Sequence, residues 1–371
     1  MSTTSLARAE AQSAAARGFT MPAEWEAHAG CWMIWPERTD NWRQGAKPAQ
    51  AAFCAVAAAI AAHEPVTMLV SARQYANARA LLPRGVRVVE GSSNDAWARD
   101  VGPSFLRHAN GTLGGVDWPF NAWGGLRGGL YFPWDLDDAV AGKILEIERA
   151  HAFRAPLVIE GGAIHVDGQG SVLVTESCLL DTNRNPGVTR AGIELVLMDY
   201  LGANNVIWLG DGVPGDETGG HVDNLACFTA PGEVLLSWCD DPADPHHAVS
   251  RDADARLRAA FDANGQPLKI RHIPMPTPMF ITAEEAAGID VTDSAMNRAA
   301  GTRLAASYVN FYIANGAIIA ASFGVPSDVA AHNVLASCFP SAAIITVPAR
   351  EILLGGGNIH CITQQQPKTW A

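Results

Sequence analysis

Apolar and polar positions alternate between helical and strand spacing along the whole chain. Runs with apolar residues three or four apart predict helices, and short runs of β-branched and other apolar residues predict strands. The predicted helices are 48–63, 72–82, 136–149, 189–201, 247–261 and 327–338. The predicted strands are 66–70, 86–89, 157–159, 171–175, 205–209, 234–238, 268–272, 343–347 and several within 308–321. This alternation predicts an α/β chain throughout.

The domain organisation follows from the same pattern. The chain has 371 residues, enough for two domains or one large one at about 150 residues per domain. No linker or low-complexity tract interrupts the alternation, so we expect a single catalytic domain over residues 21–371. Residues 1–20 are rich in Ala and Ser and lack the apolar core of a secretory signal, so we expect a flexible N-terminal extension there.

Composition and charge narrow the class of protein. The net charge is −12 and hydrophobic residues make up 48%, so the chain can form a core and is a poor match for a phosphate backbone. No apolar stretch is long enough to span a membrane. The seven cysteines are odd in number and show no CxxC spacing, which favours free thiols in a reducing cytoplasm. We therefore expect a cytoplasmic protein with no nucleic-acid or membrane partner and a small cationic ligand.

Candidate chemistry is concentrated in five glycine-rich loops, because glycine lets the backbone approach a ligand closely. These loops are 94–103, 121–129, 160–170, 210–224 and 355–361.

Two of these loops carry histidine, carboxylate and thiol groups. His221 and Asp223 lie two apart on a predicted strand, so their side chains should point the same way. Cys361 follows three glycines, a setting that leaves room for a substrate and suits a nucleophile. From the residues alone, both remain open to other interpretations. The histidine and carboxylate also suit a metal or a purely structural polar pair, and the thiol also suits a core position.

Six segments in order along the chain resemble agmatine deiminases, a family of guanidino-group-modifying enzymes. They are WMIWPER at 32–38, NDAWARDVGP at 94–103, FNAWGG at 120–125, EGGAIH at 160–165, GGHVDN at 219–224 and GGGNIHCITQQQP at 355–367. The match runs from about residue 21 to the C-terminus.

The resemblance implies a fold and an activity. The fold is a pentein-like pseudo-propeller of five αβ units with a central active site. The activity is hydrolysis of agmatine to N-carbamoylputrescine and ammonia, a step of putrescine and polyamine biosynthesis. It implies no metal or organic cofactor, and a homo-oligomer, dimeric or higher.

The resemblance also assigns roles to residues. It makes Cys361 the nucleophile that forms a covalent thiouronium intermediate, and His221 the general acid and base. It places Glu160 beside His221, and Asp100 and Asp223 on the guanidinium. Carboxylates near the thiol should raise its pKa, unless a cation compensates. We add three residues as candidates for the rest of the substrate: Trp97, Trp123 and Glu217.

Other functions stay open on the sequence. A deiminase of free or peptidyl arginine would use the same core, and the loop residues Arg99, Arg127 and Arg184 could supply a partner for the arginine carboxylate. A metal-dependent hydrolase would use Cys361, His221, Asp223 and Glu160 as ligands. A binding protein without activity is the third alternative.

Overall fold

Strands and helices alternate in a computed structural model that describes residues 13–369. The strands are β1 (Phe19–Thr20), β2 (His28–Ile34), β3 (Val66–Val70), β4 (Arg87–Glu90), β5 (Ser104–His108), β6 (Leu113–Asp117), β7 (His151–Arg154), β8 (His165–Val166), β9 (Ser171–Thr175), β10 (Asn205–Leu209), β11 (Ala226–Ala230), β12 (Glu233–Trp238), β13 (Lys269–Pro274), β14 (Tyr312–Ala314), β15 (Ala317–Ser322), β16 (Ala343–Pro348) and β17 (Gln364–Pro367). The predicted mixed α/β class is confirmed.

The helices range from single turns to four turns. They are α1 (Lys47–Ala61), α2 (Tyr75–Leu81), α3 (Ala98–Val101), α4 (Gly125–Gly128), α5 (Asp135–Asp138), α6 (Val140–Ile147), α7 (Glu176–Leu179), α8 (Arg190–Leu201), α9 (Val222–Leu225), α10 (Pro245–Ala259), α11 (Ala283–Ala287), α12 (Ser327–Cys338) and α13 (Arg350–Leu353). Short 3-10 turns cover Ala15–Arg17, Gln44–Ala46 and Gly161–Ala163. Within residues 13–369, no helix combines the length and apolar character needed to cross a bilayer.

Five sheets share one arrangement. In each of them a strand pairs antiparallel with one neighbour and parallel with its other neighbour. The strand orders are β1-β5-β6-β7, β8-β9-β10, β11-β12-β13, β14-β15-β16 and β17-β2-β3-β4. In each sheet the connection to the parallel strand contains a helix, as parallel pairing requires. In the last sheet, β17 pairs with β2, so strands from distant parts of the sequence meet.

Most long elements lie where the apolar pattern predicts them. Strands 66–70, 171–175 and 205–209 and helix 327–338 match residue for residue. Helix α1 begins with Pro at its first turn, which suits an N-terminus. It buries Phe53, Val56 and Ile60 along one face. Thr189 caps α8 by accepting a hydrogen bond from the Gly192 amide.

Two strand predictions are wrong. Residues 157–159 form a loop, because the backbone of Val158 exchanges two hydrogen bonds with the Asn185 side chain (3.0 and 2.8 Å) instead of with a strand. Residues 221–225 were predicted as a strand, but the backbone turns after His221 into the single helical turn α9. Val222 and Leu225, three residues apart on that turn, both pack into the core.

The N-terminal extension predicted for residues 1–20 falls partly outside the described residues. Its described part is packed against the fold: Ser13 and Ala14 are buried, and Phe19 of β1 pairs with His108 of β5. Among the described residues, packing therefore begins at Ser13, earlier than the predicted boundary at residue 21.

Candidate active site

The candidate residues lie on segments that immediately precede β5, β8, β11, β14 and β17, one strand of each of the five sheets. Asp100 is on α3 before β5, Glu160 precedes the turn before β8, and His221 begins the turn before β11. Asn310 and Cys361 occupy the corresponding positions before β14 and β17. Each of the five sheets thus contributes one such segment to the site.

Three of the predicted side chains converge on Gly162. A methyl group on this residue would lie 2.6 Å from Nδ1 of His221, 2.9 Å from Oδ1 of Asp100 and 2.9 Å from Oδ2 of Asp223. No L-residue with a side chain fits there, because these contacts are shorter than van der Waals distances. The glycines at 161–162 therefore let two carboxylates and an imidazole share one small space.

Asp100 is buried and fixed by two donors. The Trp123 indole donates to Oδ2 at 2.9 Å, and the Gly162 amide donates to Oδ1 at 3.0 Å. Burial raises the pKa of Asp100 to about 6, and the nearby carboxylates of Asp223 and Glu160 add to this while His221 opposes it. A bound cation would favour the ionised form.

His221 lies between two carboxylates, those of Asp100 and Glu160. Its Nδ1 is 3.8 Å from Oδ1 of Asp100, and its Nε2 is 3.4 Å from Oε2 of Glu160. Burial would lower the pKa of His221, but Asp100 and contacts with Cys178 and Glu160 raise it well above the usual value. The raised pKa favours the protonated imidazole in the free site.

Glu160 stays ionised despite full burial. Arg184 donates from Nε to Oε1 at 3.0 Å. Burial raises the pKa of Glu160, but Arg184 and His221 more than offset this and hold the pKa at about 2. Glu160 thus places a permanent negative charge beside His221, as predicted.

Cys361 is buried next to a carboxylate and an amide. Its Sγ lies 3.7 Å from Oδ2 of Asp223 and 3.3 Å from Nδ2 of Asn310. Burial, Asp223 and Asp100 together raise the pKa of the thiol well above the usual value, while Asn310 lowers it. The carboxylate effect is the one predicted from the sequence.

A buried charged network behind Cys361 was not predicted. His360 joins Oδ2 of Asp223 (2.9 Å) to the carboxylate of Glu24 (3.0 Å), and Glu24 also pairs with Arg99 (3.2 Å). Burial and Arg99 lower the pKa of His360, but Glu24 and Asp223 raise it above the usual value overall. The one sequence signal close to this network is the NIHC segment at 358–361, and that segment indicated a role for the cysteine.

A narrow pocket leads to Cys361. Its lining is partly aromatic and partly charged, and comprises Arg38, Asn41, Asp95, Trp97, Asp100, Trp123, Leu130, Tyr131, Glu217, Thr218, Ala295, Arg298, Gly355, Gly356, Gly357 and Cys361. The three substrate candidates, Trp97, Trp123 and Glu217, all line it. The carboxylate of Glu217 is, however, already paired with a cation, because Arg298 donates hydrogen bonds to both of its oxygens at 3.0 Å.

The arginines considered as partners for a substrate carboxylate lie elsewhere. Arg99 pairs with Glu24 and Arg184 with Glu160. Neither they nor Arg127 line the pocket. The two arginines that do line it have carboxylate partners, Arg38 with Asp40 and Arg298 with Glu217.

The metal-ligand set considered from the sequence is not assembled. Among the described residues, the group of ligand atoms lying within 4.8 Å of one another is Glu160, Cys178 and His221. Cys361 and Asp223 are not part of it. The geometry instead brings Cys361 to Asp223, and Asp223 to Asp100 and His221.

Comparison with known proteins gives one consistent result. A family model described as Porphyromonas-type peptidyl-arginine deiminase matches residues 20–367. The agmatine deiminases of Pseudomonas aeruginosa (strain LESB58) and Pseudomonas fluorescens (strain Pf-5) are 56% and 54% identical to this chain over 354 residues, which cover 95% of it and 96% of each relative. A solved agmatine deiminase of Enterococcus faecalis has a TM-score of 0.94 at 47% identity, covering 96% of this chain and 98% of that one.

Proposed function

The chain belongs to the Porphyromonas-type peptidyl-arginine deiminase family, and from this premise we propose how it deiminates agmatine. It is a hydrolase that converts agmatine and water to N-carbamoylputrescine and ammonia. The product is a carbamoylated form of putrescine, which places the reaction in polyamine biosynthesis. The observation that carries the mechanism is the convergence of Cys361, His221, Asp100 and Asp223 in one buried site.

Asp100 and Asp223 bind the guanidinium of agmatine. A guanidinium is planar and stays protonated up to a pKa of about 12.5, so it needs acceptors that match its N–H fork. Oδ1 of Asp223 is buried and finds no hydrogen-bond partner among residues 13–369. A substrate N–H would satisfy this oxygen, whose unpaired burial is otherwise costly.

The substrate itself promotes ionisation of Cys361. In the free site the neighbouring carboxylates disfavour a thiolate. A bound guanidinium adds a positive charge beside them and so lowers the cost of forming the thiolate. The Asn310 amide, 3.3 Å from Sγ, stabilises the same charge by donating a hydrogen bond.

The reaction then proceeds in two halves. The Cys361 thiolate attacks the central guanidinium carbon, His221 gives a proton to the departing nitrogen, and ammonia leaves a thiouronium on sulfur. His221, now neutral, takes a proton from water as the water attacks the same carbon. The thiolate then leaves, and the remaining hydroxyl proton is released to solvent, which gives the neutral carbamoyl group. Nδ1 faces the converging carboxylates and carries the proton that His221 transfers, while Glu160 on the Nε2 side stabilises the imidazolium.

The five similar sheets support a pentein-like pseudo-propeller of five αβ units. Every sheet repeats an antiparallel and a parallel pair, and in each sheet one strand of the antiparallel pair follows a segment that reaches the site. A cyclic arrangement of five units explains why these five turns meet at one place. It also explains the pairing of β17 with β2, which completes the fifth unit.

The pocket favours agmatine over arginine. The two substrates differ at the end remote from the guanidinium, where arginine carries a carboxylate. Both pocket arginines are already paired with carboxylates, so a substrate carboxylate would be buried without a dedicated cation. An unpaired buried charge costs several kcal/mol, more than the ~2.7 kcal/mol that corresponds to a hundredfold preference.

The cellular setting follows from composition. A net charge of −12 repels nucleic-acid phosphates. All seven cysteines are free thiols, which fits a reducing cytoplasm. The family resemblance supports a homo-oligomer, dimeric or higher.

Steady-state kinetics with agmatine and arginine test the mechanism. Cys361→Ser should lower kcat by at least about a thousandfold, because the hydroxyl is a much weaker nucleophile than a thiolate. Cys54→Ser, which removes a thiol from α1, is the matched control and should retain normal turnover. The wild type should prefer agmatine by at least about a hundredfold in kcat/KM.

Mass spectrometry of quenched single turnovers should find the adduct on the peptide that contains Cys361. Turnover above a few per cent in Cys361→Ser would overturn the nucleophile assignment. Comparable kcat/KM values for the two substrates would favour an arginine deiminase instead.

A further inference from the structure

The side of His221 that faces away from the converging carboxylates carries a second cluster of reactive groups. Glu160, Cys178 and His221 offer a carboxylate oxygen, a thiol sulfur and a ring nitrogen, all within 4.8 Å of one another. All three residues are at most 1% exposed. The mechanism uses His221 and Glu160 but gives Cys178 no role.

Two of the ligand atoms in this cluster are incompletely satisfied. Among the described residues, neither Nε2 of His221 nor Oε2 of Glu160 makes a hydrogen bond of good geometry. They lie 3.4 Å apart, at ion-pair distance. Buried polar atoms usually have partners, so two unsatisfied atoms facing one thiol indicate a place where a further group can bind.

Arg184 fixes the three segments that carry the cluster. Its guanidinium donates to Oε1 of Glu160 (3.0 Å), to the carbonyl of Cys178 (2.9 Å) and to the carbonyl of Thr218 (2.6 Å), close to His221. Because Arg184 occupies only Oε1, Oε2 stays available. The ligand atoms are thus held in place before anything binds, which lowers the entropy cost of binding.

The donor set identifies the class of ligand. Thiolate, imidazole and carboxylate together match Zn²⁺, whereas Mg²⁺ and Ca²⁺ prefer oxygen alone. Three protein ligands leave a fourth tetrahedral position open. We propose that Glu160, Cys178 and His221 form a zinc-binding site whose occupation inhibits the enzyme.

The inhibition follows from where the metal would bind. Zn²⁺ takes the lone pair of Nε2 and displaces its proton, and the thiol of Cys178 also releases its proton on binding. The proton that remains on Nδ1 then belongs to a neutral, metal-bound imidazole, which is a far weaker acid than an imidazolium and so does not protonate the departing nitrogen. Asp100, 3.8 Å from Nδ1, is placed to orient the ring as carboxylates do for metal-bound histidines.

The first measurement is the inhibition of agmatine turnover by zinc. Its interpretation rests on the proposed role of His221 in that reaction. The concentration of ZnCl2 that halves agmatine turnover should rise at least about tenfold in Cys178→Ser, since a ligand is lost. Each variant is compared with its own uninhibited rate, and Cys178→Ala replaces the serine variant if that protein does not fold. Cys54→Ser, which removes a thiol from α1, should respond like the wild type.

Cobalt binding is the second measurement, and it does not depend on turnover. Co²⁺ bound by a thiolate gives a near-ultraviolet charge-transfer band, which should persist in Cys361→Ser and disappear in Cys178→Ser. The opposite pattern would overturn the proposal by placing the metal on Cys361. Unchanged zinc sensitivity in both Cys178 variants would also overturn it. A cobalt band that depends on Cys178, together with agmatine turnover that zinc does not inhibit, would count against the role of His221 and not against the metal site.

Discussion

Asn310 is the residue whose position explains how the thiol is held. Its amide nitrogen lies 3.3 Å from Sγ of Cys361, and its amide oxygen accepts a hydrogen bond from the His360 backbone at 2.9 Å. The side chain therefore connects the sulfur to the segment that carries it. The amide is a neutral donor beside a thiol that otherwise has carboxylate neighbours.

Replacing that donor with an anion should disable the nucleophile. Asn310→Asp keeps the size and the acceptor for His360 but places negative charge next to Sγ, which raises the thiol pKa further. We expect kcat/KM to fall by at least about a hundredfold. The pH profile of iodoacetamide labelling at Cys361, followed by peptide mass spectrometry, should shift to higher pH. Asn264→Asp adds the same charge on the surface and should leave both unchanged.

A labelling profile that stays at the wild-type pH in Asn310→Asp would mean that the amide does not act on the sulfur. Loss of activity alone would not decide the question, because a structural role also lowers activity.

The residue roles that sequence could supply depend on local signals. Glycines and the family segments marked Cys361, His221 and Asp100, and the structure brings these residues together. Asn310 and Glu24 carry no such signal, because their importance comes from contacts with residues remote in the sequence. Glu217 was expected to act as an anion in the pocket, and its pairing with Arg298 depends on a contact 81 residues away.

At the scale of elements, sequence predicts long runs well and single turns poorly. Helix α12 and strand β9 have the bounds that the sequence predicts, and all five residues of β9 are buried. The turns that carry the site, such as α3 and α9, are four residues long. A pattern of four residues cannot distinguish a helical turn from a strand, because both can place two apolar residues in the core.

Helix α11 depends on a capping box that also joins it to α13. Thr282 and Glu285 exchange hydrogen bonds at the helix start, and Arg350, the first residue of α13, donates to both Glu285 oxygens (2.6 and 2.8 Å). Burial raises the pKa of Glu285, but Arg350 and Thr282 more than offset this and hold the pKa at about 2.

Replacing the Glu285 carboxylate should lower the stability of the fold only at pH values at which this carboxylate is ionised. Glu285→Gln should lower the unfolding free energy by about 1–2 kcal/mol at pH 7. Because the folded pKa lies below the unfolded value of about 4.3, the contribution is full above that value and disappears as pH falls towards 2. Thermal melts at pH 7, 5 and 3 should show the gap between wild type and variant narrowing at pH 3. The exposed neighbour Glu284 provides the control, Glu284→Gln, and a gap independent of pH would contradict the assignment.

At the scale of the molecule, Glu24 joins three sheets through buried charges. It contacts Arg99 before β5, His165 on β8 at 3.8 Å, and His360 before β17. Burial raises the pKa of Glu24, but His360, Arg99 and His165 hold it well below the usual value. One carboxylate therefore balances Arg99 and His360, whereas burial lowers the pKa of His165 to about 4.

Glu24→Gln should destabilise the whole molecule. Breaking a buried ion pair leaves uncompensated charge and costs about 3–5 kcal/mol. We expect a clear fall in melting temperature and, because His360 holds Asp223, a lower kcat/KM for agmatine. Glu26→Gln removes a half-buried carboxylate two residues away and should melt close to the wild type. Equal melting temperatures for the two variants would show that the network does not stabilise the fold.

The pairing of β17 with β2 has a consequence for the order in which the enzyme is made. Strand β2 leaves the ribosome early, but its antiparallel partner is translated after the other four sheets, together with Cys361. A growing chain therefore carries all of the acidic groups of the site before it has the nucleophile. Catalysis therefore begins only after the segment that carries Cys361 has been translated and β17 has paired with β2.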